Sequence, residues 1–246
     1  MGTLLATLWG APARWLGTVV RQASDGRVQL QDARGTVWQG SARLVLAGGQ
    51  GSRDASSLPG RLEWRWSWRG TGLQLRLSSP CCSDMPLQWQ LHRSEGAWQL
   101  ALQDQQSRWP LQVLAGLGAP WNTLQPEGQL VWQSQGLRLA WSAGQLQWHG
   151  RSDWQVNELS SRLTSVRPIG SYRITLQAPA AGSPHPMLTL QTLTGPLQLS
   201  AQGHWTGQRW RFDGEARADA GHEQALSNLL NIIGRRDGAR SRLSLG

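Results

Sequence analysis

The segment RLEWRWSW at 61–68 places Leu62, Trp64, Trp66 and Trp68 at one parity and Arg61, Glu63, Arg65 and Ser67 at the other. Successive side chains of a strand point to opposite faces. The segment therefore reads as a half-buried strand, with its tryptophans inward and Arg65 outward. The same period recurs along the chain, in Leu73, Leu75 and Leu77, in Leu87, Trp89 and Leu91, and in Trp98, Leu100 and Leu102. It continues through Leu130 and Trp132, Leu137, Leu139 and Trp141, and Leu146 and Trp148. Tyr172, Ile174 and Leu176, then Leu197 and Leu199, then Trp210 and Phe212 extend it toward the end. A chain that alternates this often forms a sheet, and every strand carries one apolar face that something must cover.

Clusters of Gly, Ser, Asp and Pro separate the runs, as in GGQGSRDASSLPG (48–60), SSPCCSDMP (78–86) and APAAGSPHP (178–186). Short strands joined in this way make hairpins and meanders. A hairpin unit recurs weakly in 26–40, 128–150 and 195–216, too irregularly for a propeller or a strict solenoid. Two segments change to a helical period. One is SRWPLQVLAGLG (107–118); the other is GHEQALSNLLNIIGRR (221–236), where Leu226, Leu229, Leu230 and Ile233 form one stripe. Gly234 suits a left-handed cap on the second helix, and the stripe suits a lid on the apolar face. The segment 152–165 fits strand and helix equally. The expected fold is mainly β: a large, strongly curved antiparallel sheet, folded over or half-barrel, with two short α-helices. Residues 21–246 form a single domain in this reading. Residues 1–20 are the remnant of a membrane anchor or an amphipathic helix, because Pro12 and Arg14 break the apolar run short of a full span.

The chain has 246 residues and a formal charge of +9, and all 24 of its basic residues are arginine. They are scattered at alternating positions, the pattern of a solvated sheet face rather than of a nucleic-acid groove. Attraction to an anionic membrane surface is about as plausible a reading of the charge as nucleic-acid binding. The only cysteines, Cys81 and Cys82, are neighbours. Bridging adjacent residues needs a strained ring, so a small apolar turn is expected in preference to a vicinal disulfide.

No catalytic pattern stands out. The histidines at 92, 149, 185, 204 and 222 have no HExxH, HxH or Cys/His spacing. No GxSxG elbow is present, and the 15 acidic residues form no inferable carboxylate pair. The expectation is a non-enzymatic protein without metal or cofactor. The row Trp64, Trp66, Trp68, Trp89, Trp132, Trp141 and Trp148 reads as a core face or, alternatively, as an apolar groove. As an open row it would stack sugars or single-stranded bases.

Several stretches together resemble the type II secretion system protein N family, also called general secretion pathway protein N. They are GRVQLQDARGTVWQGSARLVL (26–46), LPGRLEWRW (58–66), GLGAPWNTLQPEGQL (116–130), LSSRLTSVRPIGSYRITL (159–176), TLTGPLQLSAQGHW (192–205) and ALSNLLNIIGRRDG (225–238). The resemblance implies a Gram-negative bacterium and a chain on the periplasmic side of the cell inner membrane, held there by an N-terminal anchor that is missing or truncated in this sequence. It implies a non-enzymatic accessory component of protein secretion whose partners are other type II secretion subunits. A more distant similarity to AsmA-like periplasmic proteins, carried by the repeated hairpin units, implies the alternative: a module that binds lipid or another hydrophobic ligand.

Overall fold

A computed structural model of the protein describes residues 10–94, 96–142, 145–179, 185–206, 208–238 and 240–245. It is mainly β, with sixteen antiparallel strands among the described residues. The chain divides into two compact units. The first runs to Gln103 and takes in Pro110–Gln125; the second comprises Asp104–Trp109 and the chain from Pro126 onward.

The first unit opens with helix α1 (Ala13–Ala23). Strands β1 (Val28–Gly35), β2 (Gln39–Ala47), β3 (Ala55–Ser57), β4 (Leu62–Arg69), β5 (Gly72–Ser78), β6 (Leu87–Ser94) and β7 (Ala97–Leu102) follow. They hydrogen-bond in the order β1-β2-β4-β5-β6-β7, with β3 beside β2. The register turns the sequence alternation into rows of facing side chains. Trp64 faces Leu77 and then Leu87; Trp66 faces Leu75, Trp89 and Leu102; Trp68 faces Leu73, Leu91 and Leu100. Burial falls along β4 from Trp64 (3% exposed) through half-buried Trp66 to Trp68 (68% exposed). The cause is α1, which packs over one end of the rows. Ala13 and Ala42 enclose Trp64, with Leu16, Leu30 and Trp66 around them. The Trp64 indole also donates to the carbonyls of Thr36 and Val37 at 3.2 and 3.1 Å. Gly40 explains the glycines that flank Trp38: a β-carbon at Gly40 would sit 2.6 Å from the Trp64 ring. The glycine is therefore the space into which that tryptophan is driven.

The segment 107–118 departs from its helical reading. Its first residues belong to β8 (Gln105–Pro110), and only Leu111–Leu117 turn as a 3₁₀ helix, followed by a single turn, α2 (Trp121–Leu124). Pro110 is the cap at which the strand ends and the helical turn begins.

The second unit contains β8, β9 (Glu127–Ser142), β10 (Gln145–Ser160), β11 (Gly170–Gln177), β12 (Met187–Thr194), β13 (Leu197–Trp205) and β14 (Trp210–Ala218). Helix α3 (Glu223–Ile233), β15 (Arg235–Asp237) and β16 (Arg240–Leu245) complete it. The order is β9-β10-β11-β12-β13-β14-β16-β15, with β8 beside β9. The ambiguous segment 152–165 is strand as far as Ser160, paired to both neighbours. One row crosses seven strands: Trp132, Trp154, Ile174, Leu190, Ala201, Gly214 and Leu243. Leu226, Leu229 and Leu230 of α3 are fully buried and Ile233 half-buried, so the predicted stripe is the packed face. The Ser241 hydroxyl donates to the Leu230 carbonyl at 2.6 Å and ties the helix to β16.

Four helical segments are present among the described residues, where two were expected. The left-handed cap at Gly234 is also not what forms. Gly234 is extended, with φ −165° and ψ 177°, and leads straight into β15. It is a glycine because the Arg242 carbonyl of β16 lies where its β-carbon would be. Of the N-terminal segment 1–20, residues 1–9 lie outside the described residues. Residues 13–20 belong to α1, which turns Ala13 and Leu16 inward and leaves Trp15 and Val19 more than half exposed. Among the described residues, no helix is long and apolar enough to cross a membrane.

Two stability predictions follow from these burials. Trp64→Ala is expected to cost about 3–5 kcal/mol, while Trp68→Ala stays within about 0.5 kcal/mol, as read from urea unfolding midpoints. Leu230→Ala is expected to cost about 2–5 kcal/mol. Hydrogen exchange across 223–233 in the unaltered protein should then be as slow as in β13 and β14; exchange at the rate of a loop would contradict a fixed lid.

Candidate functional site

The seven tryptophans expected to share a face divide between the units. Trp64, Trp66, Trp68 and Trp89 lie on one face of the first unit's strands, and Trp132, Trp141 and Trp148 lie in the second. Trp132 is half-buried and donates its indole N–H to Ser152 Oγ at 2.8 Å. The Trp148 indole nitrogen is buried without a hydrogen-bond partner among the described residues. Trp141 is 59% exposed and faces Leu146, itself 55% exposed, near the adjoining ends of β9 and β10. Trp68 has the corresponding place at the turn between β4 and β5. In each unit, then, a helix covers one end of an apolar face and exposed aromatics mark the strand ends that no helix covers.

The opposite face is polar and carries fixed charges. Asp32 occupies a β-bulge in β1 at φ 51°, a conformation that aspartate tolerates better than most residues. Arg61 clamps it. Its Nη1 donates to Asp32 Oδ2 at 2.8 Å and its Nη2 to the Asp32 carbonyl at 2.6 Å, while its Nε donates to Ser41 Oγ at 3.0 Å. The Arg61 guanidinium, with Arg34 behind it, holds the Asp32 carboxyl below the usual carboxylate range. The second unit has its own pair. Arg151 donates to both oxygens of Asp153 at 2.6 and 2.8 Å, and Thr175 adds a third donor at 2.6 Å. Burial pushes the Asp153 carboxyl up, but these donors and the charges of Arg151 and Arg173 outweigh it and leave it lowered.

Cys81 and Cys82 correct an expectation: they are bonded to each other, with Cα atoms 3.7 Å apart. The turn between β5 and β6 brings the sulfurs together. The amides of Cys82 and Ser83 both donate to the Ser79 carbonyl, at 2.9 and 3.0 Å. Cys82 is buried and Cys81 exposed, and the pair closes a disulfide loop rather than the plain turn read from the sequence.

The stretches that carry the family resemblance prove to be points of tight packing. In GLGAPWN, Gly116 is buried where a β-carbon would collide with the Leu46 carbonyl and the Ser56 amide, and Asn122 donates to Asp54 Oδ2 at 3.0 Å. In RPIGSY and LTGPL, Gly195 at φ 113° lies directly against Gly170, and the Tyr172 hydroxyl donates to the Leu197 carbonyl at 2.9 Å. Burial raises the pKa of that hydroxyl, so it remains a donor at every physiological pH. Alternation could not reveal these contacts; the signal for them is glycine at fixed distances from an aromatic or an amide side chain.

The lowered pKa of Asp153 fixes the sign of one pH dependence. Its folded pKa is below its unfolded value. The stability it contributes is therefore complete above the ordinary carboxylate range and is lost as the pH falls through the folded value. Urea midpoints measured between about pH 5 and pH 2 should fall less steeply for Asp153→Asn than for the unaltered chain. Equal slopes would show that the Arg151 pair contributes nothing to acid stability.

No curated protein and no solved structure matches the chain significantly. The sequence model of type II secretion system (T2SS) protein N matches residues 26–243, a span that contains β1 to β15, most of β16 and both packing points. The chain belongs to the type II secretion system protein N family.

Proposed function

We propose that this protein acts as a non-enzymatic accessory component of type II secretion through protein–protein contacts, on the periplasmic side of the inner membrane of a Gram-negative bacterium. Family membership supplies the secretion role at its coarser level. The observation that carries the contact reading is the apolar surface near the adjoining ends of β9 and β10, where Trp141 and Leu146 face each other, each more than half exposed. Large apolar side chains exclude much water when a partner covers them, so tryptophan is over-represented among residues that dominate interfaces. The partners in this reading are other type II secretion subunits.

A second reading, a lipid or hydrophobic-ligand module, draws on a different feature. Trp132, Trp154, Ile174 and Leu190 form a continuous row across four strands and all are only half-buried. One experiment separates the two. In envelopes containing the other secretion subunits, Trp141→Ser with Leu146→Ser is expected to abolish chemical cross-links to those subunits. The thermal midpoint should stay within about 2–4 °C of the unaltered chain, the equivalent of 1 kcal/mol or less. Unchanged cross-links, together with stoichiometric acyl lipid in an organic extract of the purified chain, would favour the ligand module.

A further inference from the structure

On the polar face of the first unit, Arg65 of β4 stands directly opposite Arg76 of β5. Two like charges facing each other across adjacent strands are destabilising. Some neighbouring arginines have relief. Arg61 and Arg34 share Asp32, and in the second unit Arg151 is neutralised by Asp153. Arg65 and Arg76 have no ion pair and no side-chain hydrogen bond among the described residues, and both are exposed. They sit mid-row between two amides, in the order Gln39, Arg65, Arg76, Gln88. Gln39, Arg65 and Arg76 line an open hollow of about 540 Å³, whose lining also includes Arg34, Ser41 and Glu63.

We propose that this hollow is a docking site for an acidic segment of a partner protein, whose carboxylates lie between Arg65 and Arg76. The repulsion between the two guanidiniums is then the unliganded cost of a site that a carboxylate relieves, and each planar fork matches a carboxylate with two parallel hydrogen bonds. Glu63 favours a peptide over a bare phosphate group, because a peptide brings backbone N–H groups that the Glu63 carboxylate accepts and a phosphate diester has no such donor. The amide of Gln39 both donates and accepts, which also suits a peptide backbone.

This assignment rests on the reading that the chain works by protein contacts, and the test keeps the two apart. The full chain is titrated into a fluorescein-labelled hexaglutamate peptide, with fluorescence anisotropy as the readout, at low and at physiological salt. Arg65→Gln with Arg76→Gln is expected to weaken binding at least about tenfold, the loss of one or two charge-assisted pairs. Its thermal midpoint should be unchanged or higher, because the facing like charges are gone. Arg209→Gln with Arg211→Gln removes the same charge elsewhere and should change binding less than about twofold. Equal weakening by both variants would overturn the site in favour of general charge attraction. A lowered midpoint for the first variant would overturn it in favour of a structural role. Binding of phosphatidylglycerol vesicles that depends on Arg65 and Arg76, with no peptide binding, would make the site a lipid surface. If peptide binding fails while cross-links through Trp141 and Leu146 persist, only the hollow loses its assignment.

Discussion

An alternating sheet has an apolar face on every strand, and this protein has few helical residues with which to cover it. That imbalance organises both units. In the first, α1 covers the Trp64 end and burial declines toward Trp68. In the second, α3 buries Leu226, Leu229 and Leu230 against the far strands, while the central row from Trp132 to Leu190 stays half open. Each helix spans eleven residues, about 16 Å at 1.5 Å per residue, whereas adjacent strands are about 4.8 Å apart. A helix of that length laid across a sheet spans three or four strands. The remaining apolar surface is half-covered by its own neighbouring side chains, which is the condition under which tryptophan, large and with a polar edge, serves better than leucine.

The polar face follows a different rule. Because all the basic residues are arginine, charge there is carried by groups that stay ionised and demand planar partners. Where a partner exists it is used completely: Arg61 makes four contacts that fix the β1 bulge to the start of β4, and Arg151 grips both oxygens of Asp153. These pairs set local geometry on an otherwise featureless sheet, holding bulge and register at chosen points. Arg65 and Arg76 face each other across β4 and β5 without such a partner among the described residues.

Most strands were legible because period-2 alternation is a direct image of the pleat. RLEWRWSW became β4 with the expected parity, and the stripe of 221–236 became α3. What alternation cannot report is how much of a face is covered, since Trp64 and Trp68 have the same parity and differ only in what lies above them. The 107–118 segment was legible only in part: Leu111–Leu117 are helical as spaced, though as a tight 3₁₀ helix, but residues up to Pro110 belong to β8, and Pro110 marks where strand gives way to helix. Gly234 misled because glycine answers two needs, a positive φ and a close neighbour, and here the Arg242 carbonyl supplied the second. The cysteine pair was misjudged because composition suggests no disulfide framework, while the Ser79 carbonyl, bonded to two successive amides, folds the turn that brings the sulfurs together.

The family stretches and the contact surface do different work, and their separation is itself informative. Gly116, Gly170 and Gly195 are confined by close neighbours that admit almost no other side chain, and Tyr172 and Asn122 are held by specific hydrogen bonds. Trp68, Trp141 and Leu146 touch little and are free to differ without harm to the fold. A resemblance built on the first group therefore reports a shared framework, and through it membership of a secretion machine. It is silent about which surface meets which subunit. That information resides in side chains the fold does not require. The residues to examine for partner choice are thus those whose presence the packing leaves unexplained: exposed aromatics at hairpin ends, and two arginines held face to face with no acid between them.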